Sequence, residues 1–238
     1  MITVFLQGGL GNQMFQYATG RCLANKLNTE LCLDLSWYHY PVKRKYELGR
    51  FKLDVRLTRS TLTFLSFLVT GSPGMERRYA HVHRENAPPA DLDVLSSPDG
   101  SMIIGTYASE KYFKEAEALV RESFSFNGIE VGTETSAALS EISRFDSVSV
   151  HVRRGDYLNI PKLNVCSKIY FARGVEYLRE RLRNPRFFIF SDDPAWCRET
   201  FAASDCVVMD MKESKSSPLN DMFLMSRCAH SILSNSSY

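Results

Sequence analysis

Two arginines stand side by side in His151-Val152-Arg153-Arg154-Gly155-Asp156, directly after the alternating valines Val148, Val150 and Val152. Two planar guanidinium forks can hold a diphosphate through paired, charge-assisted hydrogen bonds. Gly155 allows the backbone to bend close to a ligand. Asp156 can orient an arginine or act as a base. The same residues also suit a plain arginine–aspartate surface pair, so the motif alone leaves both readings open.

Three further segments have chemical potential. Asp192 and Asp193 can bind a sugar or base hydroxyl, or cap the helix that Pro194 opens. Gly8-Gly9-Leu10-Gly11-Asn12-Gln13 follows an apolar run and precedes a helical pattern, which suits an anion or merely a tight turn. It is a poor dinucleotide fingerprint, because Met14 stands where a third glycine belongs, and there is no Walker lysine. Asp91-x-Asp93 and His81-x-His83 could ligate a metal, but neither has further ligands spaced for it. The first reads as solvated surface and the second as structural or surface histidine.

These segments need a scaffold, and the pattern supplies one. An apolar strand at residues 3–6 leads through the glycine loop to a helix over 12–27, with Met14, Ala18 and Cys22 at a spacing of four. A strand over Glu30–Asp34 follows. Residues 40–100, with Pro41, Pro73, Pro88, Pro89 and Pro98, read as irregular helices and loops. A helix is expected over 109–123 and a linker over Asn127–Ser136. Regular alternation then resumes. Strands are predicted at Ser147–Arg153, Phe187–Phe190, 206–209 and Ser231–Ser234, with helices at 168–183, 194–202 and 218–229. Strands alternating with helices predict α/β architecture with parallel, doubly wound sheets. Ligands sit beyond the carboxyl ends of such strands. There the arginine pair, Ser191-Asp192-Asp193 and Asn235-Ser236-Ser237 converge on one rim.

Composition narrows the classes. The 238 residues carry a net charge of +2, which gives no electrostatic footprint for nucleic acid. Six cysteines form no Cys-x-x-Cys pair and read as reduced, buried thiols. The opening Met1–Leu6 does not have the form of a signal peptide. The longest apolar run, Leu62–Val69, falls short of the ~18 residues of a membrane span. The expectation is a cytoplasmic, soluble protein.

Taken together, Gln7–Ala18, Ser109-Glu110-Lys111-Tyr112-Phe113, His151–Tyr157, Phe188–Asp193 and Asp221–Ser237 resemble the bacterial α-1,2-fucosyltransferases of glycosyltransferase family 11. The resemblance runs in order over nearly the whole chain. It implies a glycosyltransferase B-type fold, with two Rossmann-like domains facing a cleft. It implies inverting transfer of L-fucose from GDP-fucose to the 2-hydroxyl of a terminal galactoside, without metal or other cofactor. Residues 1–135 would form the acceptor side and 136–238 the donor domain.

By the same resemblance Arg153 and Arg154 contact the donor diphosphate. Gly11 and Asn12 border the site, and Asp192, Ser236 and Ser237 complete the donor side. His151 and Asp156 are both candidates for the base. Two departures stand out. The family usually continues past Asn235-Ser236-Ser237 with an aromatic, a serine and two tryptophans, whereas this sequence ends at Tyr238. An incomplete second domain is therefore expected, with a non-catalytic GDP-sugar binder or a transferase of other linkage, such as α-1,6, as alternatives. Tyr107-Ala108 also replace the family's usual tryptophan and glutamine, a change that bears on acceptor fit.

Overall fold

The computed structural model describes residues 1–39, 44–70, 78–86, 90–128, 132–210 and 218–237. Two compact units emerge, Met1–Ile129 with Ser237–Tyr238, and Glu130–Ser236.

The first unit is built on a five-stranded parallel sheet. Its strands are β1 (Ile2–Phe5), β2 (Leu31–Asp34), β3 (Arg56–Thr58), β4 (His81–Arg84) and β5 (Ser101–Ile104), in the order β3-β2-β1-β5-β4. Among its helices are α1 (Leu10–Lys26), α2 (Thr61–Thr70) and α3 (Glu117–Ser123). β1 and β2 are buried at every position, as strands covered on both faces must be.

α1 begins at Leu10, two residues before the expected start, so Gly11 and Asn12 lie in its first turn. It is buried nearly all round. Ala18, Cys22 and Leu23 are buried as its apolar spacing requires, but so are Gln13, Gln16 and Thr19. Burying amides is costly unless they are bonded. Gln13 Nε2 donates to the carbonyls of Gly8 (3.1 Å) and Lys45 (2.8 Å), and its Oε1 accepts from Glu47 N (2.9 Å).

Several expectations for this half need correction. Residues 40–100 contain two strands, β3 and β4, which the sequence reading missed. Both are edge strands, largely exposed, and their polar sequences have no apolar run to betray them. The expected helix over 109–123 is broken into short 3-10 turns at Glu110–Tyr112 and Lys114–Ala116 before α3. Pro41, Pro73, Pro88 and Pro89 lie outside the described residues.

The second unit holds α4 (Thr133–Ile142), β6 (Asp146–Val152), α5 (Lys168–Arg179), β7 (Pro185–Ser191), α6 (Pro194–Thr200), β8 (Cys206–Val208), α7 (Pro218–Arg227) and β9 (His230–Leu233). α4 occupies the end of the expected linker, whose residues 129–131 lie outside the described set. The four strands are parallel, in the order β8-β7-β6-β9. The order changes direction between β6 and β9, the switch point at which open α/β sheets form a crevice.

Period-two alternation assigns the faces. Val148, Val150 and Val152 join Phe187, Ile189 and Ile232 in one core, covered by Phe171 and Val175 of α5 and Cys197 of α6. Each such buried side chain contributes roughly 1.5–3 kcal/mol by leaving water. The opposite face of β6 presents Ser147, Ser149 and His151, all buried. There hydroxyls bond across to β9: Ser149 Oγ donates to Ser231 Oγ at 2.9 Å, and Ala229 N donates to Ser147 Oγ at 3.2 Å.

Candidate active site

The carboxyl ends of β6, β7 and β9 carry one hydrogen-bonded cluster. Arg153 follows β6. Its backbone N–H donates to Ser234 Oγ (3.0 Å), just past β9, and that hydroxyl donates to the His151 carbonyl (2.8 Å). One serine side chain therefore pins the two strands at the switch point. The Arg153 guanidinium donates through Nη2 to Asp156 Oδ1 at 2.6 Å and meets Asp192 Oδ2 through Nη1 at 3.0 Å.

Arg154 is fixed differently. Its backbone N–H donates to Asp192 Oδ1 (2.9 Å), its Nε donates to Asp193 Oδ2 (3.0 Å), and its guanidinium lies 4.0 Å above the Trp196 ring. Stacking on an aromatic face holds the plane of the fork. A guanidinium has five N–H donors. Arg153 engages two and Arg154 one, so both retain donors for an anion.

Asp192 and Asp193 have separate duties. Asp193 is the helix cap: its Oδ1 accepts from Trp196 N at 3.1 Å, ahead of Pro194, and its own N–H donates to Ser191 Oγ at 3.0 Å. The bond from the Trp196 backbone, and then the one from Arg154, hold its carboxyl below the usual carboxylate range. Asp192 instead bridges both arginines. Gly155 leaves room for that carboxylate: a Cβ there would meet Asp192 Oδ2 and push it off its present position between the arginines.

His151 is 4% exposed. Burial, and then the positive charge of Arg153, push its pKa down to about 4, against a small opposing pull from Asp192. The ring is therefore neutral at pH 7. Asp156 is the accessible carboxylate, its side chain 57% exposed. Two guanidinium groups face three carboxylates here, so no surplus positive field exists. An anion must be recognised by directed donors.

In the first unit the glycine loop follows β1. Gly8 adopts φ +82°, a conformation that favours glycine, and its carbonyl accepts from Tyr38 Oη (3.0 Å) as well as from Gln13. Asn12 packs its side chain against Gly8. Ser237 groups with this unit and donates to Asn12 Oδ1. Ser236 belongs to the second unit, its N–H donating to the Ser234 carbonyl at 2.8 Å. Gly11 is buried in α1.

The cluster thus gathers His151, Arg153, Arg154, Asp156 and Asp192. Sequence reasoning missed Ser234 and Trp196, and it placed Ser191 at the rim and Tyr157 in the arginine motif without giving either a role; the Tyr157 ring lies 5.5 Å from the Arg153 guanidinium. Of the two missed residues only Ser234 left a signal, as the residue adjoining Asn235-Ser236-Ser237.

The other motifs resolve as structure. Asp91 is not solvated surface. Its side chain is 13% exposed, lies 3.5 Å from His83 Nε2, and caps a 3-10 turn through Asp93 N. No group of three or more His, Cys, Asp or Glu side chains suited to a metal exists among the described residues. The six cysteines are free thiols.

Comparison with known proteins adds the family. The family model "Glycosyl transferase family 11" matches residues 1–238. An Escherichia coli alpha-1,2-colitosyltransferase is 34% identical, the alignment covering 100% of this chain and 85% of the relative. The mouse galactoside 2-alpha-L-fucosyltransferase Sec1 is 28% identical over 98% of this chain and 61% of its own length. The crystal structure of fucosyltransferase NodZ from Bradyrhizobium shares the fold, with a TM-score of 0.54 at 17% identity, covering 99% of this chain and 90% of that one. The chain is a member of glycosyl transferase family 11.

Proposed function

We propose that this protein is an inverting α-1,2-fucosyltransferase that moves L-fucose from GDP-fucose to the 2-hydroxyl of a terminal β-galactoside. One observation carries the reading: Arg153 and Arg154 are held at the β6/β9 switch point with unused N–H donors. The second unit is the Rossmann-like donor domain and the first the acceptor domain of a glycosyltransferase B-type enzyme. Ser236 belongs to the donor surroundings in the second unit, while Gly11, Asn12 and Ser237 belong to the glycine-loop rim of the first.

In the reaction the bond from the anomeric carbon to the β-phosphate oxygen breaks, and its electron pair stays on GDP. Arg153 and Arg154 stabilise that growing charge, the work a metal does elsewhere. The galactose 2-hydroxyl oxygen bonds to the anomeric carbon from the opposite face, and its proton passes to a base. His151, neutral and weakly basic, serves donor binding better than proton abstraction. As the diphosphate takes up Arg153 donors, Asp156 is released from its ion pair and becomes the available base.

The 34% identity to a colitosyltransferase favours a second reading, in which the donor sugar is colitosyl. No helix among the described residues is long and apolar enough to cross a membrane; a bacterial cytoplasmic location is part of the proposal, supported by the similarity to the Escherichia coli relative. The test is incubation with lactose and either GDP-fucose or a GDP-colitosyl donor, in EDTA. The product is read by mass and linkage. A 2-linked fucosyl trisaccharide supports the proposal. Transfer from the colitosyl donor alone favours the second reading, and activity lost in EDTA but restored by a divalent cation refutes metal independence.

A further inference from the structure

We propose that Glu85 is a positioning residue that fixes the loop Gly105–Ser109 as the acceptor-recognition loop, with Ala108 as its contact to the sugar; this rests on the first unit being the acceptor side.

Glu85 directly follows β4, and its N–H donates to the Ile104 carbonyl at 2.9 Å, extending the ladder to β5. Its carboxylate is then spent on the loop after β5. Oε2 accepts from Thr106 N (2.7 Å), Thr106 Oγ1 (3.0 Å) and Tyr107 N (2.8 Å). Oε1 accepts from Tyr112 Oη (2.8 Å), whose oxygen accepts in turn from Asp91 N (2.7 Å). Four donors on one carboxylate exceed what a turn needs for satisfaction.

The loop needs this hold because Tyr107 sits at φ +51°, a left-handed conformation unfavourable for a bulky residue. Strained backbone persists where its surroundings over-determine it, and such places are concentrated at ligand clamps. The Tyr107 ring is wholly buried, packed edge-on against Tyr112 with centroids 5.2 Å apart, and its hydroxyl meets His83 Nδ1 at 3.3 Å. Thr106 and Ala108 remain exposed on either side of it.

The location supplies the function. The first sheet runs β3-β2-β1 and then β5-β4, so its order reverses between β1 and β5. The loop held by Glu85 lies at the carboxyl end of β5, and the glycine loop at that of β1. Those two ends flank the crevice where α/β sheets bind ligands. Thr106 Oγ1 is committed to Glu85, which leaves Ala108 as the exposed side chain whose size can tune the fit.

The test uses the full chain. Michaelis constants for lactose and GDP-fucose, direct lactose binding by saturation-transfer NMR, and Tm are measured for wild type, Glu85→Ala, Glu85→Gln and Ala108→Gln. Glu85→Ala should raise the lactose KM at least tenfold and leave the donor KM within twofold. Glu85→Gln should recover part of the loss, since its carbonyl can accept from the loop N–H groups while its amide donates to Tyr112. Ala108→Gln, at an exposed position, should shift the lactose KM at least threefold with Tm unchanged. Lactose KM within twofold of wild type in both Glu85→Gln and Ala108→Gln overturns the proposal. So does an equal rise in both KM values. Wild type that binds lactose without transferring fucose defeats the transferase reading, and a loss of that binding in Ala108→Gln still upholds the loop's role. Wild type that does not bind lactose at all overturns the loop's role.

Discussion

The two sheets end in rims of different material. In the second unit the rim is made of charged side chains, Arg153 and Arg154 braced by Asp156, Asp192 and Asp193, and the backbone serves mainly to aim them. In the first unit the rim is backbone, shaped by side chains that turn inward: Gln13 on the glycine loop and Glu85 on the loop after β5. The difference fits two tasks. Stabilising a leaving diphosphate needs charge delivered by directed donors, whereas fitting a neutral sugar needs shape. It also predicts different failures: damage to the second rim should abolish chemistry, and damage to the first should loosen the fold or the acceptor.

The sharpest contrast is Arg153→Ala, which should lower kcat by at least ~100-fold through loss of a charge-stabilising donor. Turnover within threefold of wild type would erase the distinction between the rims. Next comes pH. His151 is held at about 4, so the unfolded chain takes up a proton at its ordinary value near 6.5 while the folded chain does not. Its contribution to stability is intact above about 6.5 and lost as pH falls towards 4, by up to ~3 kcal/mol. Denaturant titrations between those pH values should show wild type losing more stability than His151→Gln as pH falls, since the carboxyls contribute equally to both.

In the first unit, Gln13→Ala should cost about 2–3 kcal/mol, because it strands the Glu47 N–H and the Lys45 carbonyl, while the Gly8 carbonyl keeps Tyr38 Oη. Thermal unfolding measures it, and a change below 0.5 kcal/mol would show that the glycine loop stands without its amide. The smallest effect is expected at Asp221 on α7, where burial alone raises the carboxyl to about 6. Its neutral form suits the fold, so stability is fully present below the usual carboxylate value and falls as pH rises through about 6. The shift sets an upper bound of ~3 kcal/mol at pH 7.5, and burying the amide of Asp221→Asn offsets much of it, so the variant should gain about 1 kcal/mol; no gain there would show that the ionised group is accommodated.

The same division explains what the sequence revealed. The second unit was readable because β6 and β7 bury long, regular runs such as Phe187–Phe190, and because charged clusters at strand ends are conspicuous. Pro194 correctly announced a cap, and structure assigned it to Asp193 rather than Asp192. The first unit hid its edges. β3 and β4 are short and polar, and His83 is the one buried residue among their seven, so no alternation marks them. Glu85 left no trace because its partners are main-chain N–H groups, which every residue has. Asp91 looked like surface since its burial depends on His83 and Asn86, contacts that only the fold creates. Ser234 acts through one hydroxyl on the neighbouring strand, which letters cannot show.

On the proposed function, the arginine rim at the β6/β9 switch point receives the donor's diphosphate. Calorimetric titration with GDP and GMP tests it most directly, on wild type and Arg153→Ala. Wild type should bind GDP at least tenfold more tightly than GMP, and Arg153→Ala should lose most of this preference. Equal GDP affinity in both proteins, or a wild type that binds GMP as well as GDP, would contradict it.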